Sequence, residues 1–71
     1  MTDYAVVYEK TPTGWSAYAP VLPGLGVAGP TFEKTEELLR EGIEFHIEGL
    51  IEDGEDVPEP VTRVARMPIS A

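Results

Sequence analysis

The chain has 71 residues and a mass of 7.7 kDa, and we expect residues 1–71 to form one small domain. It contains no cysteine and a single histidine, which excludes disulfides and most zinc sites. Mean hydropathy is −0.11, no apolar run approaches the roughly 20 residues of a membrane span, and the start Met1-Thr2-Asp3 lacks the basic residues of a signal peptide. These features predict a cytoplasmic protein without membrane contact, metal or cofactor.

The formal net charge is −8 at pH 7, from thirteen acidic and five basic residues. Nucleic-acid binding depends on lysine and arginine neutralising phosphates, so direct binding of DNA or RNA is not expected. An acidic surface suits a basic partner, because complementary fields speed encounter. The alternative is that the charge only keeps a small domain soluble.

Residues 4–19 predict a β-hairpin. Tyr4–Lys10 and Trp15–Ala19 are rich in residues that favour strands. Thr11-Pro12-Thr13-Gly14 predicts the connecting turn, with Gly14 at the position that needs a positive φ.

A loop rich in proline and glycine, residues 20–30, precedes a long helix. A short third strand is expected around Leu25 to Ala28. Thr31 is the predicted N-cap, and the helical pattern runs from Phe32 to about Asp53, followed by Gly54 as the C′ residue.

The predicted helix has two apolar strips. At about 100° per residue, six side chains lie within about 40° of one line and predict the contact with the sheet: Phe32, Thr35, Leu39, Ile43, His46 and Leu50. A second strip, which we call the helix strip, is formed by Leu38, Phe45 and Gly49. Since one strip suffices to cover a sheet, the helix strip is a predicted interface for a homo-oligomer, a dimer or larger.

Glutamates occupy the opposite side of the helix. Four of them, which we call the acidic face, are Glu37, Glu41, Glu44 and Glu48. Like charges four residues apart destabilise a helix by about 0.2–0.5 kcal/mol per pair, and Glu36 with Arg40 is a favourable i,i+4 pair in the preferred order, acid before base. A basic partner would relieve the repulsion, so the acidic face is the predicted partner-binding surface; the alternative is a solvated face.

Residues 61–67 predict a last strand, because β-branched residues recur there, and the two arginines suggest an edge position. The predicted fold is α+β, in the order β-β-β-α-β, with an antiparallel-rich sheet and the helix on one face.

Three motifs suggest chemistry or ligand binding, and a structural role is preferred for each. Residues 24–29 (GLGVAG) match G-x-G-x-x-G, but the parallel βαβ context of a dinucleotide site is absent, so turn geometry is preferred. His46 is interpreted as a packed core residue. The aromatic residues of the hairpin suit packing better than RNA stacking. They are Tyr4, Tyr8, Trp15 and Tyr18.

The ordered set of these segments resembles HicB-type antitoxins. The family signature Pro-x-Leu-Pro-Gly-Cys…Gly-x-Thr is similar to residues 20–31 (PVLPGLGVAGPT). A glutamate-rich helix and then Gly54…Pro58-Glu59-Pro60 follow, as in the family. The opening segments 4–9 (YAVVYE) and 14–17 (GWSA) resemble the first hairpin. Departures are Val21 at the family's usual acidic position, Leu25 at its cysteine, and Lys34-Thr35 where Glu-Ala is common.

The resemblance implies a partial RNase H-like fold without a complete set of catalytic carboxylates. It also implies a non-enzymatic antitoxin that neutralises a HicA-type toxin, a small basic ribonuclease that cleaves mRNA. Two other hypotheses remain: an orphan HicB-like domain that acts as an oligomerising or structural module without a toxin, and a residual RNase H-type nuclease. The nuclease is not expected, since the aspartates are only Asp3, Asp53 and Asp56. Operon repression is not expected of a 71-residue chain, which lacks room for a DNA-binding domain.

Overall fold

A three-stranded antiparallel sheet and one helix make up the regular structure of residues 2–70, the part of the chain that this computed structural model describes. The strands are β1 (Val7–Thr11), β2 (Gly14–Tyr18) and β3 (Gly26–Gly29), in the order β1-β2-β3, and the helix α1 spans Phe32–Glu52. The predicted α+β class and the first four elements are confirmed, with strand ends shifted by up to three residues.

The register places one row of side chains under the helix. Tyr8 pairs with Ala17, and Ala17 pairs with Val27, so these three residues share a face of the sheet. A Cβ added to Gly42 of α1 would lie 4.0 Å from Val27 Cγ1 and 3.1 Å from Leu25 Cδ1. The helix therefore crosses β3 and the loop before it at close range.

A small core lies where α1 packs on β2 and β3. Its buried apolar residues are Ala17, Ala19, Leu22 and Leu39. Thr35 is also fully buried, and its hydroxyl donates a hydrogen bond of 2.7 Å to the Thr31 carbonyl oxygen, so no polar atom is left unpaired by its burial.

Both ends of α1 are capped as the sequence predicts. The Thr31 side chain accepts a hydrogen bond of 3.1 Å from the Lys34 N–H. At the other end, Gly54 has a φ of +69°, the Gly54 N–H donates to Ile51, and the Glu55 N–H donates to Leu50. These two bonds form a Schellman motif, which requires the left-handed conformation that glycine adopts freely.

Gly14 plays a different part from the predicted one. Its φ is not positive, so the turn does not need glycine for that reason. A Cβ at this position would collide with the Gly29 carbonyl oxygen and would lie 2.8 Å from the Pro30 Cα. Glycine is needed there because β2 begins directly against the end of β3.

The prediction of a last strand at residues 61–67 is wrong. Residues 55–70 contain neither helix nor strand. All of them are exposed except Pro58 and Thr62, which are half-buried. A pattern of β-branched residues favours a strand only where a neighbouring backbone supplies hydrogen-bond partners, and none lies beside this segment. The observed order over the described residues is therefore β-β-β-α.

Candidate functional site

A groove runs between the N-terminal part of the sheet and the near side of α1. It has a volume of about 680 Å³ and forms because α1 lies over β2 and β3 but not over β1. Its apolar lining comes from both elements: Val6, Tyr8, Leu39, Ile43 and Ile47. Charged residues of α1 stand along the groove: Glu36, Arg40 and Glu44. The groove thus combines an apolar floor with charged side chains at its border.

Tyr8, which lines the groove, belongs to a cluster of three aromatic rings. The Tyr8 and Phe32 rings lie 4.3 Å apart between centroids, and the Trp15 ring meets Phe32 edge-on at 5.4 Å. Burial raises the pKa of the Tyr8 phenol, the Glu36 carboxylate raises it further, and Arg40 opposes both. Tyr8 and Trp15 thus both pack on Phe32, as the packing interpretation predicts. Tyr18 is exposed, and the Tyr4 hydroxyl donates to the Pro58 carbonyl oxygen at 2.7 Å.

All four residues of the acidic face are exposed. Glu37 forms an ion pair with Lys34 at 3.8 Å, in which both side chains are at least half exposed. This pair, and not the predicted one between Glu36 and Arg40, is the ion pair found within residues 2–70. Within residues 2–70, Glu41, Glu44 and Glu48 form no ion pair, so most of the charge on the acidic face is uncompensated.

The residues of the helix strip differ in how far the chain covers them. Leu38 is half-buried, Phe45 is 77% exposed, and a Cβ added to Gly49 would meet no atom within 4 Å. Phe45 and Gly49 therefore lie outside the packing of the described chain. A mid-helix glycine without a close neighbour costs helix stability and gains nothing in this packing.

The glycine-rich segment has the predicted turn geometry at Gly24 only. Gly24 lies in a turn with a φ of +86°, whereas Gly26 and Gly29 belong to the antiparallel strand β3. A Cβ on Gly29 would lie 2.7 Å from the Thr35 hydroxyl, so glycine lets β3 approach the first turn of α1. The segment is not the strand-to-helix phosphate loop of a dinucleotide site.

His46 lies half-buried on α1, less deeply than the core position predicted for it. Within residues 2–70, no three histidine, aspartate or glutamate side chains are grouped as metal ligands would be. Asp3 borders the groove, while Asp53 caps the far end of α1. The aspartates considered for nuclease chemistry are therefore not brought together.

Sequence reasoning missed the groove. Ile47 and Arg40 lie just beyond the line of six side chains assigned to the sheet, on the side that turns toward β1. The signal available was the i,i+4 series Leu39, Ile43 and Ile47, which extends the apolar surface past the width that three short strands cover.

Comparison with known proteins defines the class. The family described as the HicB-like antitoxin of bacterial toxin–antitoxin systems matches residues 4–68, and this chain belongs to that family. An uncharacterized 14.9 kDa protein from the rep-hol intergenic region of Haemophilus phage HP1 is 34% identical over 67 residues, which cover 92% of this chain and 50% of the phage protein. The chain thus spans half the length of this relative.

A UPF0150 protein of Synechocystis is 38% identical over 58 residues, which cover 80% of this chain and 73% of that protein. No solved structure matches. Among residues 2–70 there is no helix that is both long enough and apolar enough to cross a membrane.

Proposed function

We propose that this protein is an antitoxin module that binds and neutralises a small basic toxin of HicA type, a ribonuclease that cleaves mRNA. Membership of the HicB-like family supports this function, and the exposed acidic face supports a basic partner. In this proposal residues 1–71 act as one HicB-like domain, related in topology to RNase H, that works by binding in the cytoplasm and not by catalysis.

The observation that carries the proposal is the uncompensated charge on one side of α1. Glu37, Glu41, Glu44 and Glu48 extend over more than three helical turns, and one exposed lysine, Lys34, forms an ion pair with the set. Such a face attracts a cationic partner over a distance. Binding of the partner also relieves the repulsion between neighbouring glutamates of the helix.

Neutralisation follows from competition for the same cations. A ribonuclease holds the RNA backbone with lysine and arginine side chains that contact phosphates. Carboxylates of the acidic face would pair with those side chains and exclude the RNA. Charge-assisted contacts of this kind weaken with added salt, because exposed charges are screened.

A charge-reversal variant tests this role directly. Glu41→Lys with Glu48→Lys places lysines four residues after Glu37 and Glu44, an arrangement that stabilises a helix, so the fold is expected to persist. We expect association with an inactivated toxin encoded beside this protein to slow by about tenfold or more, with a weaker salt dependence. Calorimetric and stopped-flow titrations at two salt concentrations measure both quantities.

The matched control is Glu9→Lys with Glu55→Lys, which changes the net charge equally at exposed positions away from the acidic face. If the control slows association as much as the helix variant does, net charge and not the acidic face attracts the toxin. If the unaltered protein does not bind the toxin, the antitoxin proposal itself is wrong.

The exposed Phe45 favours a second candidate, an orphan HicB-like domain that acts as an oligomerising module without a toxin. Its ring would bury against a second copy, next to the open surface at Gly49. Sedimentation of the unaltered protein and of Phe45→Glu tests this. A monomer at high concentration, with equal thermal stability in both proteins, would remove the helix strip as an interface.

A further inference from the structure

Residues 61–70, which we call the arm, are exposed except for Thr62 and include several large apolar side chains. Val61, Val64, Met67 and Ile69 are 63–80% exposed, although the segment has the composition of a strand. The radius of gyration is 13.9 Å, against about 11 Å expected of a compact domain of 71 residues. The longest dimension, 48 Å, exceeds the roughly 31 Å length of α1, so part of the chain lies outside the packed helix and sheet, and the exposed arm fits that part.

The arm also differs in charge from the remainder of the protein. It carries Arg63 and Arg66 and no acidic residue, whereas all thirteen acidic residues lie in residues 1–60 with only three basic ones. An isolated basic strand sequence is therefore attached to a strongly acidic domain. The arm is complementary to a second copy of this chain and repels a basic toxin.

The domain has an open sheet edge beside an apolar groove. β1 is an edge strand of the described sheet. The backbone N–H and C=O groups on its outer side therefore have no partner strand in that sheet. The groove lies directly beside it, with Val6, Ile43 and Ile47 in its lining. Three carboxylates line it against one guanidinium, that of Arg40, so an added arginine meets a net negative charge; the carboxylates belong to Asp3, Glu36 and Glu44.

The connection before the arm directs it outward. The Tyr4 hydroxyl binds the Pro58 carbonyl oxygen, and the Val61 N–H donates to the Glu59 carbonyl oxygen at 2.8 Å, which closes a tight turn around Pro60. Two prolines within three residues make this connection stiff. Stiff short connections favour exchange of a terminal strand between copies over return to the same domain.

We propose that the arm of one copy adds as a strand to the outer edge of β1 of a second copy and covers the groove there. With a period of two, Val61, Arg63, Ala65 and Met67 share one face, which would bury the apolar residues in the groove and bring Arg63 to its glutamates. Val64 lies on the other face. The exchange is reciprocal, and it requires neither a toxin nor the helix strip.

Substitutions in the exposed arm test the exchange without threatening the fold of the domain. Met67→Asp is expected to raise the dissociation constant of the dimer by more than about tenfold, measured by light scattering and sedimentation of the full chain. Val64→Asp is the matched control, since it adds the same charge on the opposite face and is expected to change dimerisation much less. A monomer at millimolar concentration, or a dimer broken by Phe45→Glu and unchanged by Met67→Asp, would overturn the proposal.

Because the chain has no cysteine, a disulfide can identify which copy supplies the arm. Glu9→Cys on β1 is combined in turn with Thr62→Cys, Val64→Cys or Arg66→Cys, all on the face turned away from α1. Exchange predicts a covalent dimer on oxidation for at least one combination, and the best of the three gives the register. A disulfide within one chain, with the protein monomeric, would mean that the arm folds back on its own domain and would contradict exchange. Glu9→Cys with Glu48→Cys controls for random collision.

Discussion

The two sides of α1 differ in how completely the chain covers them. Toward β2 and β3, Leu39 and Thr35 are fully buried and Gly42 approaches Leu25 closely. Toward β1 the helix leaves an open groove, which Glu44 of the acidic face borders, and on its outer side Phe45 and the other acidic-face residues are exposed. In a domain this small, one side of the helix supplies most of the buried core and the other sides stay open to solvent.

The largest contrast is expected between Leu39→Ala and Phe45→Ala. Leu39 is 2% exposed, so its truncation leaves a cavity and should cost about 2–5 kcal/mol of unfolding free energy. Phe45 is exposed in the single chain, and its truncation should change stability by less than about 0.5 kcal/mol. Urea unfolding followed by circular dichroism at low protein concentration measures both. Equal losses would mean that the helix strip is packed.

Two glycine-to-alanine substitutions should act in opposite directions. Gly14→Ala forces a methyl group against the Gly29 carbonyl oxygen and should destabilise the protein by about 1–3 kcal/mol. Gly49→Ala meets no atom within 4 Å and should stabilise α1 by about 0.5–1 kcal/mol. The same unfolding measurement compares them. A Gly49→Ala variant that loses stability would show that this surface is already occupied.

The helix cap predicts a smaller effect. Thr31→Ala removes the acceptor for the Lys34 N–H and should cost about 1 kcal/mol. Thr13→Ala, at an exposed position of the hairpin turn, is the control and should be near neutral. If the two variants unfold at the same denaturant concentration, the cap does not contribute to stability.

The smallest effect concerns alkaline pH. The pKa of Tyr8 is raised above 10.0, first by burial and then by Glu36, so the folded state holds its proton more strongly than the unfolded state. The stability that Tyr8 contributes is fully present below pH 10.0 and is lost as the pH rises through the folded pKa. Ultraviolet titration should show a phenol that ionises above pH 10.0, and Tyr8→Phe should abolish that step. An unchanged titration curve in the variant would contradict the assignment to Tyr8.

Local signals in the sequence predict the regular elements well. Thr31, Gly54 and the 3.6-residue pattern between them define α1 almost to the residue, because caps and periodicity are properties of neighbouring residues. The turn at Pro12-Thr13 is likewise local. Gly14 was misread, because its close approach to Gly29 involves a residue that is distant in the chain.

Long-range placement accounts for the other differences. Residues 61–67 have strand-forming residues, but their state depends on whether another backbone lies beside them. The groove depends on how much of α1 the short strands leave uncovered, which periodicity alone does not give. The acidic face was predictable because carboxylates at i,i+4 spacing on a helix are exposed whatever the sheet does.

The most direct measurement of the central claim is an NMR titration of the ¹⁵N-labelled protein with an inactivated toxin encoded beside it. The proposed function predicts that the largest shifts map to α1 around Glu37, Glu41, Glu44 and Glu48, and that Glu41→Lys with Glu48→Lys reduces them. Shifts concentrated on β2, or no shifts at a saturating amount of toxin, would contradict the claim that the acidic face binds a basic toxin.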